Sequence, residues 1–162
     1  MSQATFTIKR DELKVVIERT FDAPIDLVFK TLTDPGAIPM WWGKRSQTTM
    51  VDKMDVRKGG VWRYVTRDQE GNEYGFHGVY KEIDPPRRIS QSFNFEGIPG
   101  DHELLETLTL EDVGGKTKVT NTTSYANIED LDGMVASGME AGALETWDRL
   151  AEVLEKSLTP SA

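Results

Sequence analysis

Residues 128–158, IEDLDGMVASGMEAGALETWDRLAEVLEKSL, decide how the rest of the chain is read. They form the one long helical pattern in a sequence of strand-like runs. Apolar residues recur at helical spacing in two blocks: Ile128, Leu131, Met134, Val135 and Met139, then Ala143, Trp147, Leu150, Leu154 and Leu158. Glu145, Asp148, Glu152, Glu155 and Lys156 hold the opposite side, so the charged run from Glu140 to Lys156 reads as the wet face of an amphipathic helix. At about 100° per residue, the second stripe is rotated by roughly a quarter turn from the first. Gly138 and Gly142 stand where the change occurs, and each costs up to about 1 kcal/mol against alanine in a helix interior. With Ala141 they suggest close packing of the helix on a sheet; a bend or the approach of a ligand would use small residues equally well.

Upstream, residues 13–21 (LKVVIERTF) are rich in β-branched side chains and read as a strand, with Phe6 and Ile8 in a short one before it. Asp22-Ala-Pro24 reads as a helix start, with an acidic N-cap candidate and proline near the first turn. Ile25, Val28, Phe29 and Leu32 share one helical face, which Asp34-Pro-Gly36 ends. A second short helical piece carries Ile38, Met40, Trp41 and Trp42. From Ser46 onward the punctuation is that of an antiparallel meander, with strands near 45–53, 61–67, 74–83, 88–95, 102–111 and 117–125. Glycine and proline divide them, because one reaches positive φ and the other fixes φ. The layout is α+β: one antiparallel sheet of about seven strands, two short helices after the first strand, and a long C-terminal helix. Residues 1–162 read as a single domain. A helix is about 10 Å wide and such a sheet much wider, so a bent sheet gripping one helix tends to leave an internal space.

Composition removes several classes of function. A formal charge of -8 argues against nucleic acid, whose phosphates need lysine and arginine, and against an anionic membrane surface. The absence of cysteine excludes disulfides, thiol catalysis and thiolate metal sites. The start MSQATFTIKR lacks an apolar signal segment, and no run approaches membrane-spanning length. A cytoplasmic protein is the expectation. His77 and His102 are the only histidines and show no metal-ligand spacing, so neither metal nor cofactor is expected. No nucleophile elbow is present, and Gly59-Gly60 lies between strands rather than before a helix, as a phosphate cradle would.

The segments FDAPIDLVFKTLTDP, WWG, DVRKGGVWRY, GFHGVYKEIDPPRRI and GMEAGALETWDRLAEVL, in this order, resemble bacterial members of the START-like (SRPBCC) superfamily. Within it the chain is similar to the group resembling the C-terminal domain of activators of the heat-shock chaperone ATPase. The resemblance runs from about Val16 to Leu154. It implies a helix-grip fold, a curved antiparallel sheet around the C-terminal helix. It also implies binding of hydrophobic small molecules, with a chaperone partner carried by the family name alone. Lys44 follows Gly43 where the family often has proline, and Ala143 stands where it often has a larger residue, so pocket shape does not transfer.

Strand alternation supplies candidate ligand-binding residues. Trp62 and Tyr64 share one face, as do Phe76, Gly78 and Tyr80; Phe93 and Phe95 follow, then Leu104, Glu106, Leu108 and Leu110, then Val119, Asn121, Thr123 and Tyr125. Glu106, Asn121 and Thr123 are polar among apolar neighbours. A carboxylate on a buried face is costly unless paired, so Glu106 either meets water or an arginine such as Arg63 or Arg67, or anchors a ligand in an otherwise apolar pocket. Trp41 and Trp42 point about 100° apart on a helix, so one belongs to the core and one to the rim or a pocket entrance. Trp41, Met139, Gly142 and Trp147 complete the candidate set. The leading expectation is a pocket for a hydrophobic or amphipathic molecule. The alternatives are a cyclase- or lyase-type enzyme using Glu106 with Tyr80 or Tyr125, and a chaperone-interacting module.

Overall fold

A computed structural model describes residues 4–100 and 102–158. β1 (Thr5–Lys9) leads through a single 3₁₀ turn to β2 (Lys14–Phe21), then α1 (Ile25–Thr33) and α2 (Ile38–Trp41). The meander follows as β3 (Thr48–Met54), β4 (Val61–Arg67), β5 (Glu73–Asp84), β6 (Arg88–Phe95), β7 (Leu104–Val113) and β8 (Lys116–Ser124). α3 (Ile128–Ala136) and α4 (Met139–Leu158) end the chain. All pairings are antiparallel, and the sheet runs β1-β2-β8-β7-β6-β5-β4-β3. This is the α+β helix-grip layout, with eight strands rather than about seven: the short, largely exposed β1 pairs from Thr5 opposite Glu18 to Lys9 opposite Lys14. No helix of the described residues is long and apolar enough to cross a membrane.

β2 alternates strictly, with Val15, Ile17, Arg19 and Phe21 inward. From α4, Trp147, Leu150, Val153 and Leu154 are buried in the same core as Val28 and Ile38, and Trp147 meets Phe21 at a ring separation of 5.6 Å. This end of the grip is part of the buried core. α1 begins two residues later than its acidic signal suggests. Pro24, in extended backbone, is the N-cap, and its carbonyl accepts from Val28 N at 3.1 Å; Asp22 makes no cap.

The C-terminal helical stretch is two helices. Gly138 has φ +89°, a left-handed value that interrupts the helix between Ser137 and Met139. A side chain added at Gly138 would meet nothing within 4 Å, and one at Gly142 would meet only Lys44 Cε, at 4.0 Å. These glycines therefore do not serve close packing on the sheet. Gly138 supplies the joint that lets the two apolar stripes face different surfaces, which accounts for the quarter-turn offset. The polar side of α4 is also more than a wet face. Arg149 donates to the carbonyls of Met40 (3.0 Å) and Gly43 (2.9 Å), satisfying the open C-terminal end of α2. Asp148 accepts from the buried Arg19 at 2.7 Å, and Glu152 pairs with Arg45.

Candidate functional site

The register of the central strands gathers the candidate residues onto one face. Trp62 lies opposite Gly78, Tyr64 opposite Phe76, Phe76 opposite Phe95, and Tyr80 opposite Gln91. Gln91 lies opposite Glu106, Glu106 opposite Thr123, and Leu108 opposite Asn121. Side chains alternate with period two along each strand, so this row points to the side that carries Trp62 and the buried Val119. Gly78 makes the approach of β5 and β6 possible: a Cβ there would lie 1.9 Å from Ser92 O and 2.6 Å from Trp62 Nε1.

A polar patch sits in the middle of this face. Glu106 Oε1 accepts from Gln91 Nε2 at 3.3 Å, and Oε2 accepts from Asn121 Nδ2 at 3.4 Å. Both contacts are long. Asn121 Oδ1 is buried and has no partner. The arginines that a water-facing Glu106 would use are engaged on other carboxylates, Arg63 with Glu96 and Asp52 and Arg67 with Glu73. The only cation among the described inward positions of β2 and β4–β8 is Arg19, committed to Asp148. It pairs across the ladder with Val119, which faces Leu110, four residues and roughly 13 Å along β7 from Glu106.

The electrostatics follow from this enclosure. Burial pushes the Glu106 carboxyl above the ordinary carboxylate range, and the hydrogen bonds from Asn121 and Gln91 only partly oppose it. Burial also raises the Tyr64 phenol, with Tyr80 and the Glu106 charge pushing the same way. Tyr80 is pushed up to about 12 by burial, against a hydrogen bond with Tyr64. Tyr125 rises through burial and then Glu106. All three tyrosines therefore stay neutral at physiological pH. The hydroxyls of Tyr64 and Tyr125 find thioethers, Met54 Sδ at 3.8 Å and Met139 Sδ at 3.4 Å, which are weak acceptors. Yet Glu106, Gln91, Leu108 and Asn121 are only half-buried, although they lie mid-sheet on the concave face.

Beside this polar patch stands an aromatic wall. Trp62 lies 4.8 Å from Tyr64 and 5.8 Å from Phe93 between ring centres, and Phe76 lies 5.7 Å from Phe93. Trp42 meets Tyr64 and Phe76 edge-on, each at 5.1 Å. Trp41 is the core member of its pair, buried with its indole N–H donating to Thr31 O at 3.2 Å. Of the two, Trp42 is thus the one against the aromatic wall. Met139 reaches this region through Tyr125, Trp147 packs on Phe21, and Gly142 fronts Lys44 in the loop after α2. Gln91 joins the polar patch without having been singled out from sequence; its signal is its shared parity with Phe93 and Phe95.

Phe93 also lines an open cavity of about 350 Å³ where β6 runs past the start of β7, together with Phe95, Ile98, Leu104 and Met134. His77 and His102 stand at its edge. His77 Nδ1 lies 2.8 Å from Glu96, whose carboxyl the Arg63 guanidinium, followed by His77, holds down at about 2. His102 Nδ1 lies 2.8 Å from Asp130 on α3.

A curved antiparallel sheet gripping a C-terminal helix, with a polar patch inside, defines a START-like helix-grip protein. The chain belongs to the family described as Activator of Hsp90 ATPase homolog 1-like protein, whose model it matches over residues 22–155. No curated protein sequence is significantly similar to it. Among solved structures, protein Ms6760 from Mycobacterium smegmatis is 22% identical over 100% of this chain and 99% of its own, with a TM-score of 0.85. A protein from Rhodobacter sphaeroides is 26% identical over 95% of this chain and 99% of its own, with a TM-score of 0.87. One from Staphylococcus epidermidis is 25% identical over 98% of both chains, with a TM-score of 0.81.

Proposed function

We propose that this protein binds a small hydrophobic or amphipathic molecule on the concave face of its sheet, between the Trp62, Tyr64, Phe76, Tyr80 and Phe93 wall and the Glu106–Asn121 patch. The observation that carries the reading is the desolvated carboxyl of the half-buried Glu106 at mid-sheet, without a cation, beside the unpartnered Asn121 Oδ1. Buried polar groups are normally satisfied, so an unmet acceptor at the edge of a recess marks the place of a missing partner. A largely apolar lining with a few convergent polar groups is the usual construction of a small-molecule site. The cavity bounded by Phe93, Ile98 and Met134 serves as the mouth, since Phe93 belongs to both spaces.

A neutral apolar fluorophore titrated into the protein tests this. Saturable binding at one per chain, quenching of tryptophan emission and a negative heat-capacity change are expected. Leu108→Trp, which fills the recess from its floor, should abolish binding with the fold retained by circular dichroism. Gln91→Phe does the same from the neighbouring strand if the first variant does not fold. Absence of saturable binding, or unchanged binding in a folded Leu108→Trp protein, would overturn the reading.

A further inference from the structure

We propose that the ligand carries a cationic nitrogen, an organic amine on an apolar or aromatic body, and that Glu106 is its counter-ion. This rests on the binding reading above and adds the chemistry of the ligand's polar end. The inward face around Glu106 carries a carboxyl with no cation beside it, one unpartnered acceptor, one unpartnered donor in Trp62 Nε1, and the faces of several aromatic rings. Glu106 contributes two carboxyl oxygens held only by long amide contacts of 3.3 and 3.4 Å, and Asn121 Oδ1 is an acceptor with no donor. Gln91 and Asn121 each turn one amide N–H onto Glu106. The aromatic wall of Trp62, Tyr64, Phe76 and Phe93 presents ring systems whose negative faces attract cations.

No unengaged cation stands among the described inward positions of β2 and β4–β8 to meet an anion. Arg19, the inward cation, is engaged on Asp148 at 2.7 Å and stacked over the Phe21 ring at 5.2 Å, two strands over and four residues along the sheet from Glu106. A fatty carboxylate would set a second negative group beside a buried carboxyl with no cation to share. An ammonium supplies a donor for Asn121 Oδ1, a countercharge for Glu106, and a partner for the rings. The raised affinity of Glu106 for its proton fits the same picture, because in the empty recess a proton is the only cation at hand. Binding would exchange it: the carboxyl gives up its proton to solvent and the ammonium takes its place.

The test displaces the neutral fluorophore with three competitors of one chain length: n-decylamine, n-decanol and decanoate. Decylamine should compete at least tenfold more tightly than decanol and decanoate more weakly than either. In Glu106→Gln the amine-to-alcohol ratio should fall to about one. General attraction of cations to a chain of charge -8 would instead survive that substitution and vanish in 0.5 M salt, so the ratio is measured at both ionic strengths. If Glu106→Gln does not fold, carboxyl ¹³C NMR of the wild-type protein replaces it. The midpoint of the Glu106 titration should fall when decylamine is bound and stay put with decanol. Decanoate competing as well as decylamine, or an amine preference kept in a folded Glu106→Gln protein, would overturn the proposal. Failure of the fluorophore to bind at all would instead strike the binding reading beneath it.

Discussion

Replacing Glu106 by glutamine should stabilise the protein increasingly as pH rises. In the native state the carboxyl is enclosed by Gln91, Asn121 and two tyrosines that feel its charge, with no cation beside it. Its folded pKa is therefore raised above the unfolded value. A group raised in this way contributes stability that is fully present below the unfolded pKa, near 4.5, and is lost as pH climbs through the folded pKa. Each pH unit between the two costs the wild type at most about 1.4 kcal/mol. The amide variant has no such loss, and it keeps the shape and one acceptor, so at pH 4 the two proteins should agree within about 1 kcal/mol. Urea unfolding at pH 4, 6 and 8 measures the difference directly. A gap that does not change with pH would refute the argument. So would a variant less stable by about 3–5 kcal/mol at pH 8, the loss expected if Glu106 were half of a buried ion pair.

Leu150, fully buried where α4 packs on the core, should cost about 2–5 kcal/mol as Leu150→Ala; a loss below about 1 kcal/mol in denaturant would mean α4 is misplaced. Gly78→Ala should cost about 1–3 kcal/mol or more, since the new Cβ would lie 1.9 Å from Ser92 O, and hydrogen exchange should rise across β5 and β6; an unchanged midpoint would contradict that contact. Glu96 is held at about 2, below its usual 4.5, so the stability it gives is present above pH 4.5 and lost as pH falls toward 2. Because this carboxyl is partly exposed, screening reduces the effect, and Glu96→Gln should cost about 1 kcal/mol at pH 7 and nothing near pH 2.

Much of the fold was legible because period is a strong signal. The alternation that put Trp62 with Tyr64 and Glu106 with Leu108 is the alternation the register shows, since a strand buries one face. The joint at Gly138 was visible as two offset stripes, but the leading reading was close packing with a bend beside it, because sequence gives a glycine's size and not its φ. Trp41 and Trp42 were separable as core and rim, yet which was which depends on where α1 sits, as the bond from Trp41 to Thr31 O makes plain. Arg149 and Arg19 were out of reach for a similar reason. One satisfies carbonyls more than a hundred residues away and the other meets Asp148 across the core, and no local pattern announces a distant partner. Gln91 was missed because a polar residue on a strand reads as solvent-facing until its neighbours' parity is applied.

The claim that the concave face holds a ligand is tested most directly by native mass spectrometry of the protein purified from the cells that make it. The binding account expects an added mass of a few hundred daltons on the folded chain, lost on acid denaturation and reduced in Leu108→Trp. Folded protein that carries only its own mass, and that takes up no amine, alcohol or carboxylate from the competitor series, would contradict it.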